Sequence, residues 1–529
     1  MMERKLLAIL AIAAIAVAAA TVIVATSHTG EKVEIIYDLN DDLTAGVEDV
    51  TGDPVRLTIP SQTVSDGKTY TVTHIEYGAL DKCGKMEYLN LPSSLMYIED
   101  GVLDSRYSLK GIDVAEGNEF YGSVDGVLFD AYKKLLVKYP ASKTGESYTV
   151  PESAWVIMDM AFCRASKLKD VVLHDGIYSF GNFTFKDCTS LRSVTIPESL
   201  STIGLGSFNG CSSLESIDVS TKNKHYESED GILYQIGGYR LLQYPIGSSA
   251  AVFELPEMVM EISDGAFAEC TKLKEITLNG NLIWIGAKAF EGCTSLTTVH
   301  NNSCLPVIAG SDMCGSVAKY ASEVDGTVGS YVDDDGFAYS YNMKSGIAQI
   351  TGYRGEAKDL SIEADVDIEE DKYEINSIGI IAFLGTDVEK VSLPSTLVSI
   401  AATAFYGCGS LTDFAAGGLA YIGISAFSGC SSLARIDLDM SISFVDDSAF
   451  EDISTIKRIE FDSGLMYVGD DAFSGLEFFD GETEVIPVAE ELSGTIWTGS
   501  GDGKVYCSRS QSTAVRTRFP LPSKVCPAS

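Results

Sequence analysis

The sequence is poor in histidine, tryptophan and positive charge. Five histidines and three tryptophans among 529 residues leave little material for a multi-histidine metal site or a histidine-based catalytic centre. Lysine and arginine together number 38 against 75 aspartates and glutamates, a formal net charge of −37. A surface this acidic repels phosphate backbones, which argues against nucleic acid as a partner, and by charge alone it disfavours docking on anionic lipid. The twelve cysteines contain no C-x-x-C pair, so zinc and dithiol chemistry have no support. No glycine-rich phosphate loop or nucleophile elbow occurs either. With acids everywhere, no carboxylate pair stands out as a glycosidase pair. The chain is nevertheless 45% hydrophobic, too apolar for a disordered acidic polymer. No catalytic, metal-ligating or cofactor-binding residue is assigned, and no cofactor is expected.

Only one apolar run is long. Arg4 and Lys5 precede an uncharged stretch from Leu6 to Ala25, the pattern of an export signal. The stretch is just long enough to span a bilayer, so two readings of residues 1–26 stay open. One is a signal cleaved after Ala20 or near Ala25; the other is an uncleaved anchor with its basic end inside. In both, the rest of the chain is exported, and it meets the membrane only through this segment.

Self-comparison then shows a repeat. A small residue followed by Phe recurs at Ala161-Phe162, Thr184-Phe185, Ser207-Phe208, Ala266-Phe267 and Ala289-Phe290, and again from Ala382-Phe383 to Ala472-Phe473. Within each array successive Phe residues lie 22 or 23 positions apart, except for one interval of 59. Three residues after the aromatic position a Cys often falls, as at Cys188, Cys211, Cys270, Cys293, Cys408 and Cys430, with Cys83 following Leu80. A Ser-Leu pair comes next, and then an alternating segment such as Leu191–Ile196 that ends at Pro197. The alternation reads as a short strand with one face buried, and the Pro, which cannot donate to a ladder, stops it. A unit of this size cannot close a core alone, so neighbours must stack into a solenoid.

Two longer offsets organise the stack. Leu80 and Phe185, Tyr121 and Tyr226, and Pro140 and Pro245 are each 105 residues apart. The long member carries an insert, Asn118, Tyr121, Ser123 and Asp125-Gly126, matched by Asn223, Tyr226, Ser228 and Asp230-Gly231. Asp-Gly between apolar runs predicts a β-hairpin. Leu57, Tyr70 and Leu80 recur as Leu360, Tyr373 and Phe383 at a constant offset of 303, so a second array opens as the first does, with a capping segment over its exposed end. These offsets give a first array over 27–300 with two inserts, a linker over 301–329, a second array over 330–480 and a C-terminal tail over 481–529.

These residues resemble the BspA-type leucine-rich repeat, and Leu191–Cys211 follows its pattern almost position by position. The likeness runs over about residues 50–480. It implies a β-rich solenoid with short parallel strands, in exported or surface proteins of microbes associated with adhesion to host proteins or other cells. Gly501–Tyr506 resembles a closing segment of paired-array microbial surface proteins. The sequence has no C-terminal membrane helix or wall-sorting signal, so retention at the surface would rest on the N-terminal segment. The expectation is a non-catalytic module that binds a protein or glycan on another cell or matrix. Self-association into an envelope structure is the alternative.

A few residues remain as site candidates. Tyr121 and Tyr226 in the inserts are candidate ligand contacts. The cysteines three residues after Phe read as buried thiols stacked along the solenoid, whereas Cys304 and Cys314, in the linker, are the best disulfide candidates. Asn182 and Asn301 head glycan-acceptor triplets; Asn301 in the linker is the better placed, since Asn182 is hindered by the Phe185 coil. Asp333-Asp334-Asp335-Gly336 is contiguous where a calcium loop alternates its ligands, and reads as an acidic turn. Residues 507–529 carry four cations and no acid.

Overall fold

In the computed structural model the described residues are 20–26, 32–439, 442–456, 458–460, 465–480, 483–485, 496–499 and 504–507. The chain divides into two compact units at Val328/Gly329, each a stack of coils.

One coil shows the plan. Its longer strand, Ser193–Ile196, pairs in parallel with Asp170–Val172 before it and Ser216–Val219 after it. Opposite, the two-residue strand Ser179–Phe180 pairs with Val156–Ile157 and Thr202–Ile203. The third side is the turn that carries the small residue and Phe. Phe162 N donates to Thr184 O (2.9 Å) and Phe185 N to Ser207 O (2.8 Å), so this side too bonds to the next coil, as buried backbone must. The second unit repeats the plan, with longer strands at Lys390–Leu393, Asp413–Gly417, Arg435–Asp439 and Arg458–Glu460.

The repeat positions explain the core. Ring centroids of Phe383, Phe405, Phe427, Phe450 and Phe473 follow one another at 4.7, 5.0, 5.1 and 5.3 Å, with neighbouring planes within 6°. That interval is close to the strand spacing of about 4.8 Å, so one aromatic per coil fills a continuous column. Each buried ring contributes roughly 1.5–3 kcal/mol by burial, and each ring pair about 0.5–1.5 kcal/mol more. Glycine four residues before Phe lets coils close up: a Cβ on Gly204 would collide with the backbone of Gly181 in the preceding coil.

Cysteine has an equally regular place. The thiols of Cys188, Cys211, Cys293, Cys408 and Cys430 donate to the carbonyls of Phe162, Phe185, Phe267, Phe383 and Phe405, one coil back, at 2.9–3.1 Å. All five are buried and none is in a disulfide. Burial pushes Cys211 and Cys293 up to about 12, which keeps them protonated donors at neutral pH.

Both stacks open alike. Lys32–Leu39 and Thr44–Thr51 form an antiparallel pair, and the second strand lies parallel to Lys68–Ile75. In the second unit Phe337–Asn342, Ile347–Tyr353 and Asp371–Ile378 do the same. The registers Thr44↔Thr71 and Ile347↔Glu374 keep the offset of 303, and both ladders shift at the same step, Ala45/Gly46 and Ala348/Gln349.

Two segments depart from expectation. Residues 301–329 are no linker: Glu323–Asp325 pairs in parallel with Thr298–Asn301, and Val307, Val317, Ala318 and Ala321 join the core of the preceding coils. Phe290 N donates to Gly315 O (2.8 Å) where the next turn would stand. The repeat consensus is broken here but its buried apolar positions persist, which makes an irregular closing coil. Nor is 481–529 wholly a tail. Thr483–Val485, Ile496–Gly499 and Lys504–Cys507 join the longer-strand sheet, and Ile496–Gly499 runs antiparallel along Arg458–Glu460. That reversal ends the parallel ladder.

At the other end Ala20–Thr26 is a strand antiparallel to Lys32–Leu39. Residues 1–19 of the segment read as an export signal or anchor, and the basic stretch 508–529, lie outside the described residues. No helix among the described residues is long and apolar enough to cross a membrane.

Candidate ligand-binding face

Most residues singled out in the sequence prove to be structural. Tyr121 and Tyr226 are half-buried, and their hydroxyls accept hydrogen bonds from Ile98 N (3.1 Å) and Ile203 N (3.0 Å). Those amides end the two-residue strands just before each insert, where no further coil strand follows to accept them. Each tyrosine therefore caps an interrupted ladder. The rest of the insert motif is consumed in the same way. Asn223 Nδ2 donates to Pro197 O (2.7 Å) and Leu200 O (2.9 Å), while its Oδ1 accepts from His225 N and Tyr226 N. Asn118 makes the same four bonds in the first insert, to Pro92, Leu95, Phe120 and Tyr121. Ser123 and Ser228 accept from Val114 N and Val219 N. Asp125 and Gly126, like Asp230 and Gly231, both have positive φ, the hairpin turn that Asp-Gly predicts.

The modification candidates change places. Asn301 is fully buried, donating to Leu305 O and accepting from Ser303, because it closes the last longer strand before the closing coil; a folded chain cannot present it for glycosylation. Asn182 is the exposed one, although its Oδ1 accepts from Leu205 N (2.9 Å). Cys304 and Cys314 are thiols and not a disulfide: Cys304 is buried in the closing coil, and the Cys314 thiol points at Pro306 O. Asp333 accepts from Phe337 N and from the Tyr339 hydroxyl, the acidic turn before a strand. Among the described residues no group of three or more His, Cys, Asp or Glu could hold a metal ion.

Two titratable clusters lie in the first unit. In the cap, burial and the charges of Asp38, Glu48 and Glu99 push Glu76 up to about 7, beside a His74 that burial pushes down. In the closing coils His300 stands between two carboxylates, Nδ1 2.8 Å from Asp325 and Nε2 3.1 Å from Glu275. Those bonds hold His300 above its ordinary value, Asp325 contributing most. A raised folded value means that the stabilisation is fully present below the unfolded value of about 6.5 and is lost as pH rises through the folded one. His300→Gln should therefore lower the unfolding midpoint most at pH 5–6 and least at pH 9. A midpoint difference that does not change with pH would contradict the bridge.

The outer side of the longer strands presents a further surface. In the second unit Leu360, Val391, Phe414 and Ile436 point into the core, so their neighbours point out. Two outward rows run across the coils: Asp359, Lys390, Asp413 and Arg435 in one register, and Ser361, Ser392 and Ala415 in the next, and the register carries them on to Arg458 and Asp437. As far as Arg435 and Ala415 they line a shallow groove of about 340 Å³. At its rim Lys358 Nζ bonds Glu389 Oε1 (2.7 Å), which holds that carboxyl below its ordinary range. The Thr412 hydroxyl lies 2.9 Å from Asp413 Oδ2. The groove can offer charged groups of both signs and small hydroxyls to a ligand. Sequence reading missed these residues because only stacking brings Lys390, Asp413 and Arg435 together; aligning the outward strand positions at the coil interval is the signal that would have found them.

The family description BspA type leucine rich repeat region matches at residues 64–124, 141–230, 247–312 and 371–479, in six copies. Among solved structures, the chain is similar to a leucine rich cell surface protein from Faecalibacterium prausnitzii (19% identity, 75% of this chain and 95% of that one, TM-score 0.39). It is also similar to a leucine-rich repeat protein from Bacteroides ovatus (20% identity, 78% and 97%, TM-score 0.33). A third likeness is to the pneumococcal vaccine antigen PcpA (16% identity, 80% and 93%, TM-score 0.35). No curated protein matches the chain.

Proposed function

Since the chain belongs to the BspA-type leucine-rich repeat family, we propose that it is an exported, surface-held binding module without catalytic activity. Its ligand is a protein or glycan of a host or neighbouring cell, held on the outer face of the longer strands. The observation that carries this reading is the groove over Asp359–Ser361, Lys390–Ser392 and Asp413–Ala415. It combines charged and hydroxyl side chains on a rigid ladder, whereas the insert motifs are spent on internal hydrogen bonds. The basic start and apolar run at Arg4–Ala25 support export. The net charge of −37 supports a ligand other than nucleic acid.

The test places a bulky side chain in the groove and a conservative change in an insert. Ser392 is exposed, so Ser392→Arg should leave the fold intact, yet it should reduce saturable binding of the full chain to host cells or matrix at least ten-fold. Tyr226→Phe removes a half-buried hydroxyl, costs about 1 kcal/mol of stability and should leave binding unchanged. Binding lost in Tyr226→Phe and kept in Ser392→Arg would move the site to the inserts and overturn this reading.

A further inference from the structure

Where asparagine precedes glycine, the glycine nitrogen can attack the asparagine side chain with little hindrance, because glycine carries no Cβ and its backbone turns freely. The chain has two such pairs, Asn209-Gly210 and Asn279-Gly280, and the fold treats them differently. Asn279 is buried and locked. Its Nδ2 donates to Pro256 O and Val259 O, and its Oδ1 accepts from Asn281 N (2.9 Å). Two donor bonds and one acceptor bond fix the plane of this amide.

Asn209 has none of these restraints. It is half-buried, the second residue of a turn that Cys211 N closes by donating to Phe208 O (3.1 Å), and Gly210 follows with φ 74°. Its Oδ1 is buried without a hydrogen-bond partner, and its Nδ2 makes no hydrogen bond. Gly210 N donates to nothing among the described residues. The bonds that Asn209 does make, from its own N to Gly206 O (3.1 Å) and from Asp187 N to its O (2.7 Å), use neither its side chain nor the Gly210 nitrogen. Both reacting groups are therefore free in the folded chain.

We propose that Asn209 is a site of spontaneous deamidation in the folded protein, whereas Asn279 is protected by its hydrogen bonds. Gly210 N loses its proton and bonds to Asn209 Cγ; the Cγ–Nδ2 bond breaks, and ammonia leaves with that proton. Water then opens the five-membered imide at one of its two carbonyls. One opening gives aspartate. The other gives isoaspartate, in which the chain runs through Cβ and Cγ and the former α-carbonyl becomes a free carboxylate. Either product disturbs the turn. The new charge arises beside the Asp187 carboxylate, which lies so close to Gly210 that a Cβ there would meet its Oδ1, and like charges repel. The isoaspartate form also displaces the carbonyl that Asp187 N reaches from the preceding coil. The coil around 185–211 therefore opens more readily as the protein ages.

The experiment follows both Asn-Gly peptides by mass spectrometry as amide turns to acid, in the full chain kept at pH 8, folded in one sample and in denaturant in the other. Dividing each folded rate by its rate in denaturant removes the effect of local sequence. On that scale Asn209 should convert at least ten-fold faster than Asn279. It should also convert faster at pH 8 than at pH 6, since the attacking nitrogen must lose a proton. Asn209→Gln should abolish conversion in its own peptide and leave that of Asn279 unchanged. After ageing, hydrogen exchange over 185–214 should rise in the native chain and stay level in Asn209→Gln. Equal scaled rates at the two sites, a faster Asn279, or an Asn209 that reacts only in denaturant would overturn the proposal.

Discussion

Replacing Phe405 by Ala is expected to destabilise the second unit by about 3–5 kcal/mol. Phe405 is fully buried at the centre of the aromatic column. It stacks on Phe383 at 4.7 Å and Phe427 at 5.0 Å, and meets Phe414 edge-on at 5.7 Å. Truncation removes three ring contacts and leaves a cavity that flanking coils cannot fill, since their backbones are tied together on all three sides. In a solenoid each coil is stabilised chiefly by its neighbours, so the damage reaches both. Hydrogen exchange read segment by segment should speed up across residues 383–427 by two to three orders of magnitude, at about 1.4 kcal/mol per ten-fold. Phe405→Leu, which keeps most of the volume, should cost less than half as much. Equal costs would mean that volume and stacking at this position are not what holds the coils.

Asn223→Ala should be almost as damaging, at about 3 kcal/mol, because each buried group left without a partner costs roughly 1–3 kcal/mol. Asn223 is buried, and its side chain satisfies two carbonyls and two amides at once; some of the four will recover water. Asn223→Asp should do no better, because it keeps the acceptors but loses both donors and brings a charge into a buried site. His225→Ala, two residues on and exposed, should change stability by no more than about 0.5 kcal/mol. Chemical denaturation of the three variants checks the order. A mild Asn223→Ala would show that the insert is held by something other than this bracket.

How far the sequence can be read depends on whether a residue's role repeats. The Phe column, the buried thiols and the paired caps are legible because each recurs at a fixed interval, and stacking turns an interval into a contact. The insert motif is equally visible, yet its role is not. Tyr121 and Tyr226 look like ligand contacts because tyrosine is common at interfaces, whereas their hydroxyls finish ladders that the inserts cut short. Asn301 and Cys304 look like linker residues because 301–329 loses the Phe and Cys positions; Val307, Val317 and Ala318 nevertheless keep that segment folded as a coil. The strands beyond residue 480 carry no repeat signal because an antiparallel closure leaves none, and only the last of them, Lys504–Cys507, is marked in the sequence, by the resemblance of Gly501–Tyr506 to a closing segment. The groove is hidden for a different reason. Its residues are ordinary one at a time, and only the register Asp359–Lys390–Asp413–Arg435 makes them a surface.

The central claim is that recognition belongs to the outer face of the longer strands while the inserts are structural. Hydrogen exchange of the full chain, measured free and bound to the surface it recognises, tests it directly. Binding should slow exchange in segments spanning 359–361, 390–393 and 413–417 and leave 118–130 and 223–235 unchanged. Protection confined to the inserts, with no change along the three strands, would contradict the claim.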